Sequence, residues 1–218
     1  MADWTLVLGN KNYSSWSARA LLVMAETGAA FDEIVIPLDH PETAATIAQH
    51  SPSGLVPVLK HRDTVIWDSL AITEYASVHL PDAGVWPEDA SARAVARSAA
   101  AEMHGGFREL RGHLPMNVRA SKPGRDRPET VESDIRRVVG LWRDCRERFG
   151  DGGPFLFGRW CAADAFYAPV VSRFRTYGVD LDDVCRAYAG AVVARPSVVA
   201  WFAAAEAETW AVDKYDSI

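Results

Sequence analysis

The chain has 218 residues, a net charge of −6 and a pI of about 5.5, with 49% hydrophobic and 24% charged residues. That is the composition of a globular protein with enough chain for one or two cores. The acidic balance argues against nucleic-acid or anionic-membrane partners, and no apolar run approaches the roughly 20 residues that a bilayer span requires. Three widely spaced cysteines, Cys145, Cys161 and Cys185, argue against a disulfide framework or a zinc ribbon, and the N-terminus has no basic segment followed by an apolar one. A cytoplasmic location is expected.

Residues 5–8 form a short β-like run closed by Gly9 and Asn10. A helix follows, with Tyr13, Ser14, Ser15 and Ser17 at its start; Ser14 or Ser15 is a natural N-cap, and Gly28 a natural stop. A second β-like run, 31–36, ends at Pro37, so the order strand, helix, strand predicts a parallel pair with a crossover helix. Residues 41–50 read as a weak, alanine-rich helix.

The stretch 51–60 is a loop and then a strand, with Pro57 among Val56, Val58 and Leu59. Proline has no N–H, so it marks the strand's beginning. A cis bond at Val56–Pro57 would turn the chain there and leave the N–H and C=O of Val56 free to pair with an extended ligand, as an added strand does. A second short strand over 65–67 runs into a helix over 68–80. Asp68 and Ser69 lie at its start, where unpaired N–H groups collect.

Residues 81–88 read as a linker, and everything beyond it as helix. Ala92, Val95, Ala99, Met103, Gly106, Leu110 and Leu114 recur at intervals of three or four, predicting one helix from 89 to Pro115. The basic stretch 119–128 reads as a solvated connection. Helices are predicted over Glu129–Phe149, Ala162–Tyr177, 182–194 and 197–209.

Val56-Pro57-Val58-Leu59 followed by Asp68-Ser69-x-Ala-Ile resembles the glutathione site of the cytosolic glutathione transferases. The segment Phe155-Leu-Phe-Gly158 through Cys161 to Asp164 is similar to the capping box of that family's second domain, with Cys161 in the place of the usual hydroxyl; Asp164 is expected to be structural. The resemblance spans nearly the whole chain. It implies an α/β thioredoxin-like N-terminal domain (βαβ-ββα, residues 1–80) and an all-α C-terminal domain (88–218). It implies glutathione as co-substrate, bound through Val56 and Pro57 at the cysteinyl backbone and through Asp68 and Ser69 at the γ-glutamyl end. A homodimer is implied as well, with Arg93 and Arg97 near its rim, and the partners expected are small, largely apolar electrophiles.

Conjugation needs a thiolate, and a free thiol has a pKa near 8.5. A serine hydroxyl can donate a hydrogen bond to sulfur, and a helix start adds favourable N–H groups. The cluster before Arg19 is similar to the family's serine-type sites. In theta- and delta-like enzymes the catalytic serine stands four residues before an arginine, as Ser15 does. The register of zeta-class enzymes, which isomerise maleylacetoacetate and carry cysteine where this chain has Trp16, points to Ser14. Ser15 is the favoured residue, with Tyr13 as the fallback. Met103, Phe107 and Arg111, at three-to-four spacing on one predicted helix, are the candidates for the electrophile pocket, beside His104 and Arg108. No metal-ligand spacing occurs, so no metal is expected. Two other readings are a glutathione-dependent isomerase of small acids and a non-catalytic binding or regulatory protein on the same fold.

Overall fold

The computed structural model describes residues 2–218. Its first part holds β1 (Trp4–Gly9), α1 (Ser15–Glu26), β2 (Phe31–Ile36), α2 (Thr43–Ala48), β3 (Val58–His61), β4 (Thr64–Trp67) and α3 (Ser69–His79). The sheet order is β2-β1-β3-β4, with β1 and β2 parallel and the remaining neighbours antiparallel. Alternation along the strands divides the side chains between two layers. Trp4, Leu6, Leu8 and Leu59 face the main core with α1 and α3, while Val7, Ile36 and Val58 pack with Ile47 of α2 on the opposite face. This is the βαβ-ββα thioredoxin-like arrangement.

The second part is helical throughout: α4 (Ala90–Gly105), α5 (Arg108–His113), α6 (Glu129–Phe149), α7 (Ala162–Tyr177), α8 (Asp183–Ala194), α9 (Pro196–Ala207) and α10 (Asp213–Asp216). In α7 every residue but Arg175 is buried. Its N-terminus carries the acidic half of the predicted box: Asp164 is fully buried and accepts from the N–H groups of Cys161 (2.9 Å) and Leu156 (3.1 Å). The main core runs without a break from the sheet into this bundle, and α1 packs against α7.

One predicted helix proves to be two. The apolar period continues through 103–114, but α4 ends at Gly105, Gly106 is extended, and Phe107 takes a left-handed φ of 55°. A Cβ on Gly106 would sit 2.7 Å from the Glu102 carbonyl oxygen, so this turn requires glycine. Met103, Phe107 and Arg111 therefore do not share one continuous helical face.

No single helix among the described residues is long and apolar enough to cross a membrane; α8 and α9 reach that length only as a pair bent by 69°.

Candidate active site

Two junctions meet at the site: the β1–α1 turn, and the segment from Val56 through β3 and β4 to the start of α3. At the first, Ser14 is the N-cap of α1. Its Oγ accepts from Ser17 N–H at 3.2 Å and donates to Ser17 Oγ at 2.9 Å, and Ser17 Oγ in turn accepts from Gly9 N–H at 2.9 Å. A hydroxyl has one proton, and that of Ser14 is committed inward. Ser15, the first residue of α1, is also buried, but its Oγ accepts a bond of 3.2 Å from Arg173 Nη2 and donates none among the described residues. Tyr13 points elsewhere: its hydroxyl donates to Asp216 (2.8 Å) and accepts from Arg119 (2.9 Å).

At the second junction the Val56–Pro57 bond is cis. Neither the N–H nor the C=O of Val56 has a backbone partner among the described residues. Asp68 caps α3, accepting from Leu70 N–H at 2.8 Å, with a φ of 75° that non-glycine residues seldom adopt. Its other oxygen lies 3.3 Å from His104 Nε2 on α4. The next residue, Ser69, is fully buried, and its hydroxyl has no partner among the described residues. Burial, more than the attraction of Asp68 can offset, holds His104 below the usual histidine pKa.

Behind these groups lie three arginines. Arg19 is 0% exposed. One of its nitrogens reaches the Met103 carbonyl at 3.5 Å, its Cζ lies 4.3 Å from the centre of the Trp16 ring, and its Nε and Nη1 have no partner among the described residues. The half-buried Arg111 donates to the His104 carbonyl at 3.1 Å and lies 5.1 Å from the same Trp16 ring. The buried Arg173 donates to the carbonyls of Leu114 and Pro169 as well as to Ser15. Burial and then the charges of Arg173 and Arg111 push the Arg19 guanidinium down to about 9; burial and then Arg111 push Arg173 down to about 10. Both remain charged at neutral pH.

The predicted pocket residues part company here. Met103 and Phe107 are buried in the main core, whereas Arg111 stands against Trp16. Arg93 donates to the Pro87 carbonyl, and Arg97 pairs with Glu74 at 2.9 Å. Sequence reasoning passed over Arg173, whose signal was an arginine next to the apolar run Ala165–Val171 in the predicted helix 162–177. It also missed the C-terminal segment. The Glu208 carboxylate accepts from Lys11 N–H (2.6 Å) and Asn12 N–H (3.0 Å). Arg119 holds the carbonyls of Glu208 and Trp210, and Lys122 Nζ those of Asp216 and Ile218. The front of the basic stretch is thus a clamp on the C-terminal segment rather than a solvated connection. A separate cleft of about 780 Å³, lined by Trp86, Phe155, Trp160 and Arg195, contains none of the predicted site residues.

The family models for the glutathione S-transferase N-terminal and C-terminal domains match residues 13–77 and 89–204. The chain belongs to the glutathione S-transferase family. A curated relative in this family, glutathione S-transferase 1 of Dianthus caryophyllus, is 29% identical over 134 residues, which is 60% of this chain and 60% of that protein. Among solved structures, a glutathione transferase homologue from Burkholderia GL BGR1 with bound glutathione superposes with a TM-score of 0.71 at 25% identity, over 94% of this chain and 99% of that one. The tau-class transferase of mango (Mangifera indica) gives 0.70 at 20% identity, over 92% of each chain. The theta-class transferase of Xanthomonas axonopodis pv. citri gives 0.65 at 22% identity, over 93% of this chain and 98% of the other. The last two likenesses concern the transferase fold.

Proposed function

We propose that this transferase-family chain binds glutathione and conjugates its thiolate to small electrophiles, with Ser15 as the hydrogen-bond donor to sulfur. The observation that carries the reading is the division of labour at the start of α1. Ser14 spends its proton on Ser17, while the oxygen of Ser15 is occupied by Arg173 and its proton is free. A hydroxyl polarised by a guanidinium is a better donor, and each unit of thiol pKa lowering requires roughly 1.4 kcal/mol of extra thiolate stabilisation. The positive end of α1 and the nearby arginines act in the same direction.

The peptide of glutathione meets Val56, whose backbone groups are unpaired beside Pro57, and its γ-glutamyl end meets Asp68 and the unpartnered hydroxyl of Ser69. Asp68 accepts the ligand amine, and Ser69 with the first N–H groups of α3 receives the carboxylate. The glutathione carried by the Burkholderia and Xanthomonas neighbours supports this reading. The protein works as a cytoplasmic homodimer, and the exposed Val65 and Trp67 beside Leu70 offer an apolar patch for pairing. A second reading, a glutathione-dependent isomerase of small acids, draws on the arginines around Trp16. Product analysis separates a thioether from an isomerised acid.

The deciding experiment is ultraviolet difference absorbance of bound glutathione across pH, in the parent protein and in Ser15→Ala. Thiolate absorbance should develop below the pKa of free glutathione in the parent and shift upward in the variant. Identical titrations would rule out the serine mechanism.

A further inference from the structure

Buried charges are ordinarily paired, because an isolated ion loses its hydration without compensation. Around Trp16 this chain breaks that rule. Arg19 is 0% exposed, yet its Nε and Nη1 have no acceptor among the described residues. Among the described residues it makes no ion pair within 4.0 Å, and its one hydrogen bond is the long one to the Met103 carbonyl. Arg111 lies over the same ring, and the charge of Arg173, after burial, lowers the pKa of Arg19. The nearby carboxylates are otherwise engaged: Asp68 with His104 and Leu70 N–H, and Asp134 with Leu110 N–H. The face of Trp16 attracts the cations but cannot neutralise them.

We propose that Arg19 and Arg111, backed by Arg173, form a subsite for the carboxylate of an anionic electrophile, so that the second substrate is a small organic acid. The inference rests on the glutathione-transferase reading and deepens it. The Nε and Nη2 of Arg111 share one edge of the guanidinium and make no hydrogen bond among the described residues, an edge that matches a carboxylate in bidentate fashion as a lysine would not, while the Nε and Nη1 of Arg19 lie on different edges and offer one donor each. Arg173 donates to Ser15 Oγ and its charge acts on Arg19, so an acid bound at this cluster is held near the hydroxyl assigned to the thiolate. Anchoring at that distance positions the electrophilic carbon over sulfur and converts charge recognition into rate.

The test compares 4-chloro-3,5-dinitrobenzoate with its methyl ester, each rate divided by its uncatalysed rate with glutathione. In both, sulfur forms a bond to the ring carbon and chloride leaves with the bonding pair. The acid should exceed the ester at least tenfold in normalised kcat/KM, and Arg111→Gln should cut that ratio about tenfold. A second measurement is independent of turnover: benzoate titrated calorimetrically into glutathione-saturated protein should bind, benzamide should not, and Arg111→Gln should weaken benzoate about tenfold. Arg111 is half-buried on a short helix, so its replacement perturbs the fold less than that of Arg19. Equal normalised rates for acid and ester, or absence of benzoate binding at millimolar concentration, overturns the subsite. So does an Arg111→Gln variant that loses glutathione affinity but keeps the preference for the acid, because the arginines would then serve the tripeptide. If neither electrophile reacts above the uncatalysed rate while benzoate binds as described, the transferase reading fails and the acid subsite stands.

Discussion

Arg173 Nη2 donates to Ser15 Oγ at 3.2 Å across 158 positions of sequence. A buried guanidinium from the central helix of the bundle thereby orients a hydroxyl at the first turn of the thioredoxin-like part. The bond leaves the Ser15 proton as the free one of the pair Ser14 and Ser15. The bond ties the two parts of the fold together at the start of α1.

Ser15→Ala and Ser14→Ala should therefore fail differently. Loss of the Ser15 hydroxyl should raise the pKa of bound glutathione by about one unit, equivalent to roughly 1.4 kcal/mol, and reduce the rate below that pKa about tenfold. Loss of Ser14 removes the N-cap and should cost about 1 kcal/mol of stability. A pH–rate profile and a urea titration on each variant separate the two roles. Equal kinetic effects would mean that the hydroxyls share the sulfur.

Asp68→Ala should weaken glutathione about tenfold or more, since hydrogen bonds to charged groups contribute about 1.5–3 kcal/mol. It also removes the one carboxylate that draws the His104 pKa upward, so that pKa should fall further. Calorimetry reports the first effect and the histidine ring proton shifts the second. An unchanged dissociation constant would remove Asp68 from the ligand site.

Burial raises the Asp164 carboxyl from its ordinary 3.8 to about 6, against the opposing bonds from Cys161 and Leu156 N–H. A raised folded-state pKa means that the native state binds the proton more tightly than the unfolded chain. The resulting stabilisation is complete below about pH 4 and disappears as pH rises through about 6. Asp164→Asn should therefore lose less relative to the parent at pH 6.5 than at pH 4.5, by about 2 kcal/mol. Urea titrations at the two pH values measure this, and a pH-independent difference would show that Asp164 does not titrate in that range.

Arg119→Ala should release the C-terminal segment, because Arg119 holds the carbonyls of Glu208 and Trp210 and the hydroxyl of Tyr13. Losing charged bonds of about 1.5–3 kcal/mol should speed amide exchange over 208–218 by tenfold or more. Exchange at parental rates would mean that Lys122 and Glu208 suffice to hold the segment.

If Val65 and Trp67 pair two subunits, Trp67→Glu should convert the dimer to a monomer in sedimentation at micromolar concentration, since Trp67 is 47% exposed in the single chain. Sedimentation of the parent at one subunit mass would remove the dimer altogether.

Local chemistry made much of this protein legible from its sequence. Strand alternation, a proline without an N–H at the start of β3, and the Asp68 cap each act within a few residues. The predicted bounds of α6 and α7, Glu129–Phe149 and Ala162–Tyr177, coincide with the observed ones for that reason. The break at Gly106 escaped because the apolar period runs on through it, and two glycines outweighed the pattern. Both Ser14 and Ser15 sit at one helix start, and nothing local distinguishes their hydroxyls. That choice depends on a guanidinium brought from α7, just as the charge around Trp16 depends on arginines from α1, α5 and α7. Coulombic and hydrogen-bond contacts between distant segments exist only once the chain is packed, so tertiary structure alone decided them.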